Sequence, residues 1–395
     1  MTTPNLNYQE KSREYFSEDI MFVSVYPPDK GGLSEYAEAL LGELSKKVDG
    51  KIIIITNSGK NQVNNNKKLE VIPVLKPNSF FSILKLALKL GFLKSKVIHF
   101  NLHMSIFGRS RLVNFFGLLV PAYAKLLGKK VVVTLHGIPE TIKLEKVGLK
   151  NNFINKVGFT LALKILLKSV NVTIVLVKKY VEILRKKYGV KNVVWVPHGA
   201  WWTNQQPTWQ NNNGNNTVLF MGYFGPYKEI EMVVSALKNL KNKYPNVRLI
   251  IAGMPHPNYP EEAKRIIDLA SKADFVDYIG YVPQNQIPKL ISKIRFVVLP
   301  YSTSTGTSGI VHFLSGLGVP FITTNTPEFL ELKHQGAGIY LVKPTAKEFT
   351  KIFDKAFQDN HLMENLAEKS RSFALGRNWG KVAEIHLDIY KKYCI

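Results

Sequence analysis

A loop of small hydroxylated residues and glycine, without an acid or a long side chain, occupies Ser302–Gly309. The apolar run FVVLP precedes it, and the helical pattern Ser308–Gly316 follows it. Backbone amides of such a loop can surround an anion, and the dipole of the following helix adds to the attraction. In an open α/β sheet, loops of this kind lie beyond the carboxyl ends of strands, where ligands bind. We therefore predict that residues 302–310 hold a pyrophosphate group.

Two loops in the first half of the chain also follow apolar runs and suit a ligand site. Tyr26–Ser34 reads YPPDKGGLS, and its Gly31 and Gly32 let another molecule approach the backbone closely. The dinucleotide-binding fingerprint G-x-G-x-x-G is absent from it. Thr134–Pro139 reads TLHGIP and places His136 at the end of an apolar run, beside a glycine. A histidine at such a position is either a satisfied structural residue or a ligand contact, and we predict the second.

Two further loops, in the second half, supply a cation and a polar turn. Gly222–Lys228 reads GYFGPYK, so Lys228 stands just before the next helical pattern and can reach an anion. Tyr281–Pro283 follows the apolar run FVDYIG. Because the carboxyl ends of parallel strands meet at one edge of a sheet, these two loops and Ser302–Gly309 converge on one crevice. Their convergence favours the pyrophosphate interpretation.

Strand-like and helix-like patterns alternate along the chain, which predicts parallel sheets with crossover helices. The predicted strands are Ile20–Tyr26, Lys51–Thr56, Glu70–Val74, Val97–Phe100, Lys130–Thr134, Val172–Val177, Val193–Val196, Thr217–Gly222, Arg248–Gly253, Val276–Gly280, Phe296–Pro300, Pro320–Thr324 and Ile339–Val342. The predicted helices include Ser34–Lys47, Phe80–Leu93, Arg109–Leu127, Asn151–Leu167, Lys179–Lys187, Glu229–Lys243, Pro260–Ala270, Pro283–Lys293, Ser308–Gly316, Ala346–Phe357 and Trp379–Tyr393.

The segment AWWTNQQPTWQNNNGNN, residues 200–216, is rich in Asn and Gln and is typical of an interdomain connection. It divides the chain into a first domain at 1–199 and a second domain at 217–378. The last segment, 379–395, carries an amphipathic helix that we expect to pack back on the first domain. Two Rossmann-like domains joined in this way face each other across a deep cleft, lined by the carboxyl-end loops of both sheets.

Basic residues are concentrated in one part of the chain. Residues 51–199 hold 26 Lys and Arg against 4 Asp and Glu, which accounts for +22 of the net charge of +24. Such a segment predicts a polyanionic partner. Lysine-bearing amphipathic helices at Phe80–Lys96, Arg109–Lys130 and Lys156–Lys168 favour an anionic membrane surface, although their apolar residues also fit the core of a domain. Nucleic acid is disfavoured because no RNA-binding or helix-turn-helix signature occurs.

The location of the protein is bounded by three further features of the sequence. The single cysteine, Cys394, excludes a disulfide framework and a cysteine-based metal site. The polar, mixed-charge start is not a signal peptide, and no window of 18 uninterrupted apolar residues occurs. We therefore expect a cytoplasmic protein, peripheral on the inner face of the cell membrane.

Six segments, taken in order, resemble the retaining glycosyltransferases of family 4, which have the GT-B fold. The resemblance spans nearly the whole chain, and the segments are PPDKGGLSEYAEALLGEL, VVVTLHG, VVWVPHGA, GYFGPYKEIEMVVSAL, GYVPQNQIPKLISK and SGIVHFLSGLGVPFITTNTPEFLE. It implies two Rossmann-like domains, with a nucleotide-sugar donor bound mainly by the second and an acceptor bound mainly by the first.

The resemblance also implies roles for particular residues. His136 matches the histidine of the family's T-x-H-G turn, near the reacting sugar, and Lys228 matches the lysine on the donor diphosphate. These two are the predicted catalytic residues. The predicted donor contacts, besides Lys228, are Gly31, Gly32, Tyr223, Val282, Thr305, Thr307, Ser308, Gly309 and Glu328. The predicted acceptor contacts are Asn101 and His103.

Two departures from the family pattern concern the donor. The family commonly places two glutamates eight positions apart in the phosphate loop and its helix, and those positions hold Thr305 and Phe313 here. Thr305, Thr307 and His312 are the candidate replacements. The family also often has an arginine shortly before the lysine, and none precedes Lys228 at that distance.

The predicted activity is transfer of a hexose, glucose or mannose, from a UDP-sugar in preference to a GDP-sugar, onto a lipid-linked or surface-glycan precursor. No D-x-D triplet occurs, so we expect no metal and no other cofactor, with the lysine and the helix amides stabilising the leaving diphosphate. Two alternatives stay open: a catalytically silent sugar-nucleotide-binding subunit, which the missing acids favour, and a nucleotide-sugar epimerase on the same two-domain plan.

Overall fold

The computed structural model describes residues 16–57, 66–103, 106–108, 110–141, 153–201, 208–211, 214–256, 259–303 and 306–394, with side chains from residue 157 in the fifth of these ranges. Within them the chain forms two sheets whose strands are all paired in parallel. The predicted α/β class with two parallel sheets is confirmed. None of the helices among these residues is at once long and apolar enough to cross a bilayer.

The first domain is built on a sheet of strands β1 to β7. Its elements in chain order are β1 (Ile20–Val23), α1 (Gly32–Leu44), β2 (Ile52–Asn57), β3 (Leu69–Leu75), α2 (Phe80–Phe92), β4 (Val97–Leu102), α3 (Arg111–Leu126), β5 (Lys130–Leu135), α4 (Phe153–Ser169), β6 (Val172–Val175), α5 (Lys178–Tyr188) and β7 (Val193–Trp195). The strand order is β3-β2-β1-β4-β5-β6-β7, so β1 and β4 lie near the middle of the sheet.

Strands of this sheet are apolar on both faces, as parallel strands covered by helices must be. In β1, Ile20 and Phe22 enter one hydrophobic core, whereas Met21 and Val23 enter the other. The C-terminal helix α13 (Trp379–Cys394) supplies Val382 to the first of these cores and packs against α1. The chain therefore returns from the second domain to close one face of the first sheet.

The second domain follows the same scheme with strands β8 to β13. Its elements are β8 (Thr217–Phe224), α6 (Ile230–Leu240), β9 (Arg248–Pro255), α7 (Glu262–Ser271), β10 (Val276–Gly280), α8 (Ile287–Ile291), β11 (Phe296–Leu299), α9 (Gly309–Ser315), β12 (Phe321–Thr324), α10 (Pro327–His334), β13 (Ile339–Val342), α11 (Ala346–Gln358) and α12 (Asn360–Leu375). The strand order is β10-β9-β8-β11-β12-β13.

Three elements of the second domain differ from the prediction. The sequence did not indicate α10 or α12. Helix α10 is too short to show a helical period of apolar residues. Helix α12 is separated from α11 by Asp359 alone, and Asp359 caps α12 by accepting a hydrogen bond from Leu362 N. The predicted helix Pro283–Lys293 is split into a 3₁₀ turn at Gln284–Gln286 and α8. Pro288 lies in the first turn of α8, where its missing N–H would have no partner within the helix, so the proline is tolerated at the start of a helix and not in its interior.

Candidate active site

The loops at the carboxyl ends of both sheets meet between the domains. Gly306 of the Ser302–Gly309 loop touches the T-x-H-G turn of the first domain so closely that a Cβ at this glycine would lie 2.0 Å from the carbonyl oxygen of His136. Its φ of 148° is also a conformation that only glycine adopts readily. Contact between these two loops therefore requires a residue without a side chain at position 306.

His136 is held in one orientation by a chain of hydrogen bonds. Ser24 Oγ donates to the carbonyl oxygen of Val25 (2.8 Å), so it accepts from Asn101 Nδ2 (3.0 Å). The amide oxygen of Asn101 then faces His136 Nε2 at 2.6 Å, which assigns the proton to Nε2 and leaves Nδ1 as a hydrogen-bond acceptor. Burial, together with neighbouring histidines, lowers the pKa of His136 well below its ordinary value. The imidazole is therefore neutral.

Lys228 is a buried lysine that forms no ion pair with any described residue. Its side chain is 8% exposed, and Nζ lies 2.9 Å from the centroid of the Tyr301 ring and 5.1 Å from that of Tyr227. Burial lowers the pKa of Lys228 well below its ordinary value. Since a buried charge without a partner is unfavourable, the position suits a lysine whose partner is an anionic ligand.

The Ser302–Gly309 loop leads into α9 at Ser308, which is buried at the N-cap position. Thr307 Oγ1 lies 2.8 Å from His312 Nε2, so the loop is tied to the helix that follows it. Nothing lies within 4 Å of a Cβ built on Gly309, so the first turn of α9 borders open space. These positions are compatible with the predicted diphosphate contacts.

Of the two positions where the family pattern has glutamates, Thr305 and Phe313, the structure describes only Phe313. Thr305 lies outside the described residues. Phe313 packs on Trp201 of the interdomain connection, with ring centroids 4.7 Å apart. This pair offers an apolar surface where an acid would bind hydroxyl groups.

A row of rings joins the His136 turn to α9. His198 stacks on His312 with centroids 4.5 Å apart and ring planes 15° apart, and its Nδ1 donates to the carbonyl oxygen of Gly199. Tyr36 sets its edge against both His136 (4.7 Å) and His198 (5.2 Å). Burial lowers the pKa of His198 to about 4. Sequence reasoning did not assign His198 to the site, although its place in VVWVPHGA, after β7, was a signal.

Two carboxylates on α10 bind the first domain. Tyr180 OH of α5 donates to Glu328 Oε1 at 3.1 Å, and burial raises the pKa of Glu328. Glu331 accepts the backbone N–H groups of Lys178 and Lys179, which begin α5. Glu328 was predicted to contact the donor; the structure adds a contact with the other domain that no sequence pattern indicated.

The glycine loop of the first domain faces the loop after β10 in the second. Lys30 Nζ lies 4.0 Å from the ring centroid of Tyr281, and Tyr223 OH donates to Glu35 Oε1 at 3.3 Å. Val282 is half-buried against the core of the second domain. The Tyr281–Pro283 loop, which includes the predicted donor contact Val282, therefore lies opposite the Tyr26–Ser34 loop.

The remaining predicted contacts lie at the ends of β1 and β4. Gly31 caps α1 with a φ of 141°, and a Cβ built on Gly31 or Gly32 meets nothing within 4 Å. His103 follows β4 and is half-buried, with its pKa lowered by burial. Asn101 is fully buried and orients His136 through its amide. Contact of Asn101 or His103 with an acceptor stays a prediction.

With this arrangement in view, comparison with known proteins identifies the architecture. Anabaena HepE in complex with UDP and glucose superposes with a TM-score of 0.70 at 14% identity, covering 95% of this chain and 99% of that one. Sucrose-phosphate synthase from Thermosynechococcus elongatus gives a TM-score of 0.74 at 15% identity, covering 95% and 98%. The fold is GT-B. The GT-B architecture that the sequence resemblance implied is thus confirmed.

The second half of this GT-B chain also carries a sequence match. Residues 203–373 match the family model described as glycosyl transferases group 1. The putative glycosyltransferase YtcC of Bacillus subtilis is 25% identical over 162 residues, which is 39% of each chain. The alignments span between 39% and 50% of the length of the first curated relatives matched. Assignment to family 4 in particular stays a prediction.

Proposed function

We propose that this protein is a retaining glycosyltransferase that moves a hexose from a UDP-sugar to a lipid-linked or surface-glycan precursor at the inner face of the cell membrane. The observation that carries the proposal is Lys228, buried beside the phosphate loop without an ion-pair partner among the described residues. The match of residues 203–373 to glycosyl transferases group 1 supports the same activity.

In the proposed reaction, the bond between the anomeric carbon and the donor diphosphate breaks while the acceptor hydroxyl bonds to that carbon from the same face. The hydroxyl proton passes to the leaving phosphate oxygen. Negative charge grows on the diphosphate, and the ammonium group of Lys228 stabilises it; because Lys228 is buried, little solvent screens this attraction. His136 Nδ1, held in place through Asn101, accepts a hydrogen bond from a hydroxyl of the donor sugar.

UDP is the preferred nucleotide because HepE, which shares the fold, was solved in complex with UDP and glucose. Glucose and mannose are the proposed sugars. Phe313 has no carboxylate, and its ring packs on Trp201. Hydrogen bonds to the sugar and ribose hydroxyls are therefore made by other residues. A metal-independent reaction is part of the proposal, and activity that survives a chelator would support it.

A catalytically silent sugar-nucleotide-binding subunit is the second candidate, and the apolar Phe313–Trp201 contact favours it. UDP-glucose hydrolysis separates the two. Slow release of UDP without an acceptor supports an enzyme, whereas tight binding of UDP-glucose with no turnover supports the silent subunit.

Replacement of Lys228 by alanine tests the site itself. A hydrogen bond to a charged group contributes about 1.5–3 kcal/mol, so Lys228→Ala should weaken UDP binding roughly 10- to 100-fold in a calorimetric titration and slow UDP-glucose hydrolysis. Lys241→Ala is the matched control, because Lys241 is a partly exposed lysine of the same domain that pairs with Asp274. Equal UDP affinity in wild type and Lys228→Ala would remove Lys228 from the donor site.

A further inference from the structure

Helix α2 has two apolar stripes, only one of which is used by the core. Ile83, Leu86 and Leu90 are buried in the first domain. Other apolar side chains, at spacings of three and four residues along the helix, are between 51% and 83% exposed: Phe81, Leu84, Leu88 and Phe92. Residues spaced in this way lie on one side of a helix. The core therefore does not account for the second stripe.

Helices α3 and α4 extend this exposed surface. Leu112, Phe116, Tyr123 and Leu126 are exposed along α3, and Phe116 meets Phe80 of α2 with ring centroids 5.4 Å apart. Val157 and Leu161 are exposed on α4, which packs against α3. Of the 17 large apolar side chains that are exposed among the described residues, 12 lie on or directly after these three helices. We call this surface the α2–α4 face.

Charge on the α2–α4 face has one sign. Residues 71–139, which include α2 and α3, contain ten Lys and Arg and no Asp or Glu. Lys85 and Lys89 are exposed on α2, and Lys164 and Lys168 are exposed on α4. Exposed aromatic and leucine side chains next to lysines, without acids, are the composition of helices that lie in the interface of anionic membranes.

We propose that the α2–α4 face inserts its apolar side chains into the headgroup region of an anionic bilayer. A second copy of the chain is a poorer occupant, because pairing two such faces would bring like charges together. Negatively charged lipid headgroups pair with the lysine side chains, while the phenylalanine and leucine side chains reach the boundary between the headgroups and the acyl chains.

The position of the face relative to the cleft gives it a role in acceptor access. Helices α2 and α3 begin after β3 and β4, so their N-terminal ends lie at the sheet edge where β4 ends with Asn101 and Leu102 and is followed by His103. Asn78 ties the two helix starts together, since its N–H donates to Phe107 O and its Oδ1 accepts from Ser110 N, both at 2.8 Å. An acceptor anchored in the bilayer would therefore enter the cleft from the adjoining edge, a step that rests on the proposed function.

Vesicle flotation of the full chain tests the proposal, with neutral phosphatidylcholine vesicles and vesicles containing 30% phosphatidylglycerol. Phe81→Ser combined with Phe92→Ser should lower partition onto the anionic vesicles at least tenfold. Lys85→Glu combined with Lys89→Glu should lower it at least tenfold as well, and 0.5 M salt should weaken the wild type. Ile267→Ser combined with Leu375→Ser, two exposed apolar positions of the second domain, is the matched control and should bind like the wild type.

Unchanged vesicle binding by both double variants would overturn the proposal, as would equal binding to neutral and anionic vesicles. A wild-type dimer that dissociates in Phe81→Ser/Phe92→Ser would assign the face to a second copy instead. UDP-glucose hydrolysis keeps this result separate from the proposed function. Hydrolysis without vesicle binding refutes the membrane face alone, whereas vesicle binding with no hydrolysis by the wild type refutes the transferase alone.

Discussion

Lys228 has an environment unlike that of a surface lysine, because two tyrosine rings surround its ammonium group and no described carboxylate pairs with it. Burial alone lowers the pKa of Lys228, and an anion in the cleft would raise it again. In the proposed function, the donor diphosphate would restore to this lysine the charge that burial disfavours. Binding and protonation would then be coupled at a single side chain.

This coupling predicts how UDP affinity depends on pH. The diphosphate binds the ammonium form, so as pH rises through the lowered pKa of free Lys228, binding requires uptake of a proton and affinity falls by up to about tenfold per pH unit. Lys228→Arg keeps its charge over the whole range and should flatten the profile. Calorimetric titrations between pH 6.5 and 9, in buffers of different ionisation enthalpy, measure both affinity and proton uptake. Affinity of the wild type that does not vary with pH would contradict the coupling.

At the scale of elements, α10 links the two domains. Glu328 and Glu331 stand on one face of this short helix, and both bind α5 of the first domain, one through Tyr180 OH and the other through the first N–H groups of α5. Glu331 thus acts as the N-cap of a helix in the other domain. Separation of the domains would leave those N–H groups to water.

Removal of the Glu331 carboxylate should loosen this connection. Loss of a capping acceptor costs about 1 kcal/mol, so Glu331→Ala should lower the free energy of unfolding by roughly that amount. It should also increase the radius of gyration measured by small-angle X-ray scattering without donor. Glu348→Ala is the control, because Glu348 is partly exposed and forms an ion pair with Lys351 one turn away in the same helix, and such pairs contribute about 0.5 kcal/mol or less. An unchanged radius and stability in Glu331→Ala would show that α10 does not hold the domains together.

Over the whole molecule, neutral histidines are built into the interior. His99 stacks on His386 between the first sheet and α13, and His198 stacks on His312 between the domains. Burial lowers the pKa of all four, and of His136. Protonation would place like charges in each stack, so the fold depends on uncharged rings.

The protein should therefore lose stability in mild acid. The unfolded chain binds protons at these histidines below about pH 6.5 while the folded chain does not, so each one lowers the free energy of unfolding by about 1.4 kcal/mol per pH unit. For His198 the loss continues down to its folded pKa of about 4. Urea unfolding at pH 7.5, 6.5 and 5.5 measures the slope, and His198→Gln should reduce it. His361→Gln, at an exposed position, should leave it unchanged; wild-type stability that is flat over this range would refute the prediction.

Local patterns were sufficient to predict the strands and the loops that follow them, because strands buried on both faces of a sheet consist of continuous runs of apolar residues. His136 could be singled out for the same reason, since it follows a predicted strand, and Lys228 because it ends the loop between a predicted strand and the next predicted helix. Tyr180 and Glu328 could not be paired, because 148 positions separate them and only domain packing brings them together. Likewise, the sequence located Phe313 where an acid was expected, but its cover by Trp201 depends on the path of the interdomain connection.

The contact between Gly306 and the His136 carbonyl has a mechanical meaning. At this point the backbone of one loop meets the backbone of the other, because Gly306 has no side chain to separate them. If the domains of the proposed transferase close on their substrates, this backbone contact limits how far they can approach, and the limit does not vary with side-chain rotamers. The distance between a donor held by one domain and an acceptor held by the other would then depend on backbone geometry at Gly306 and His136.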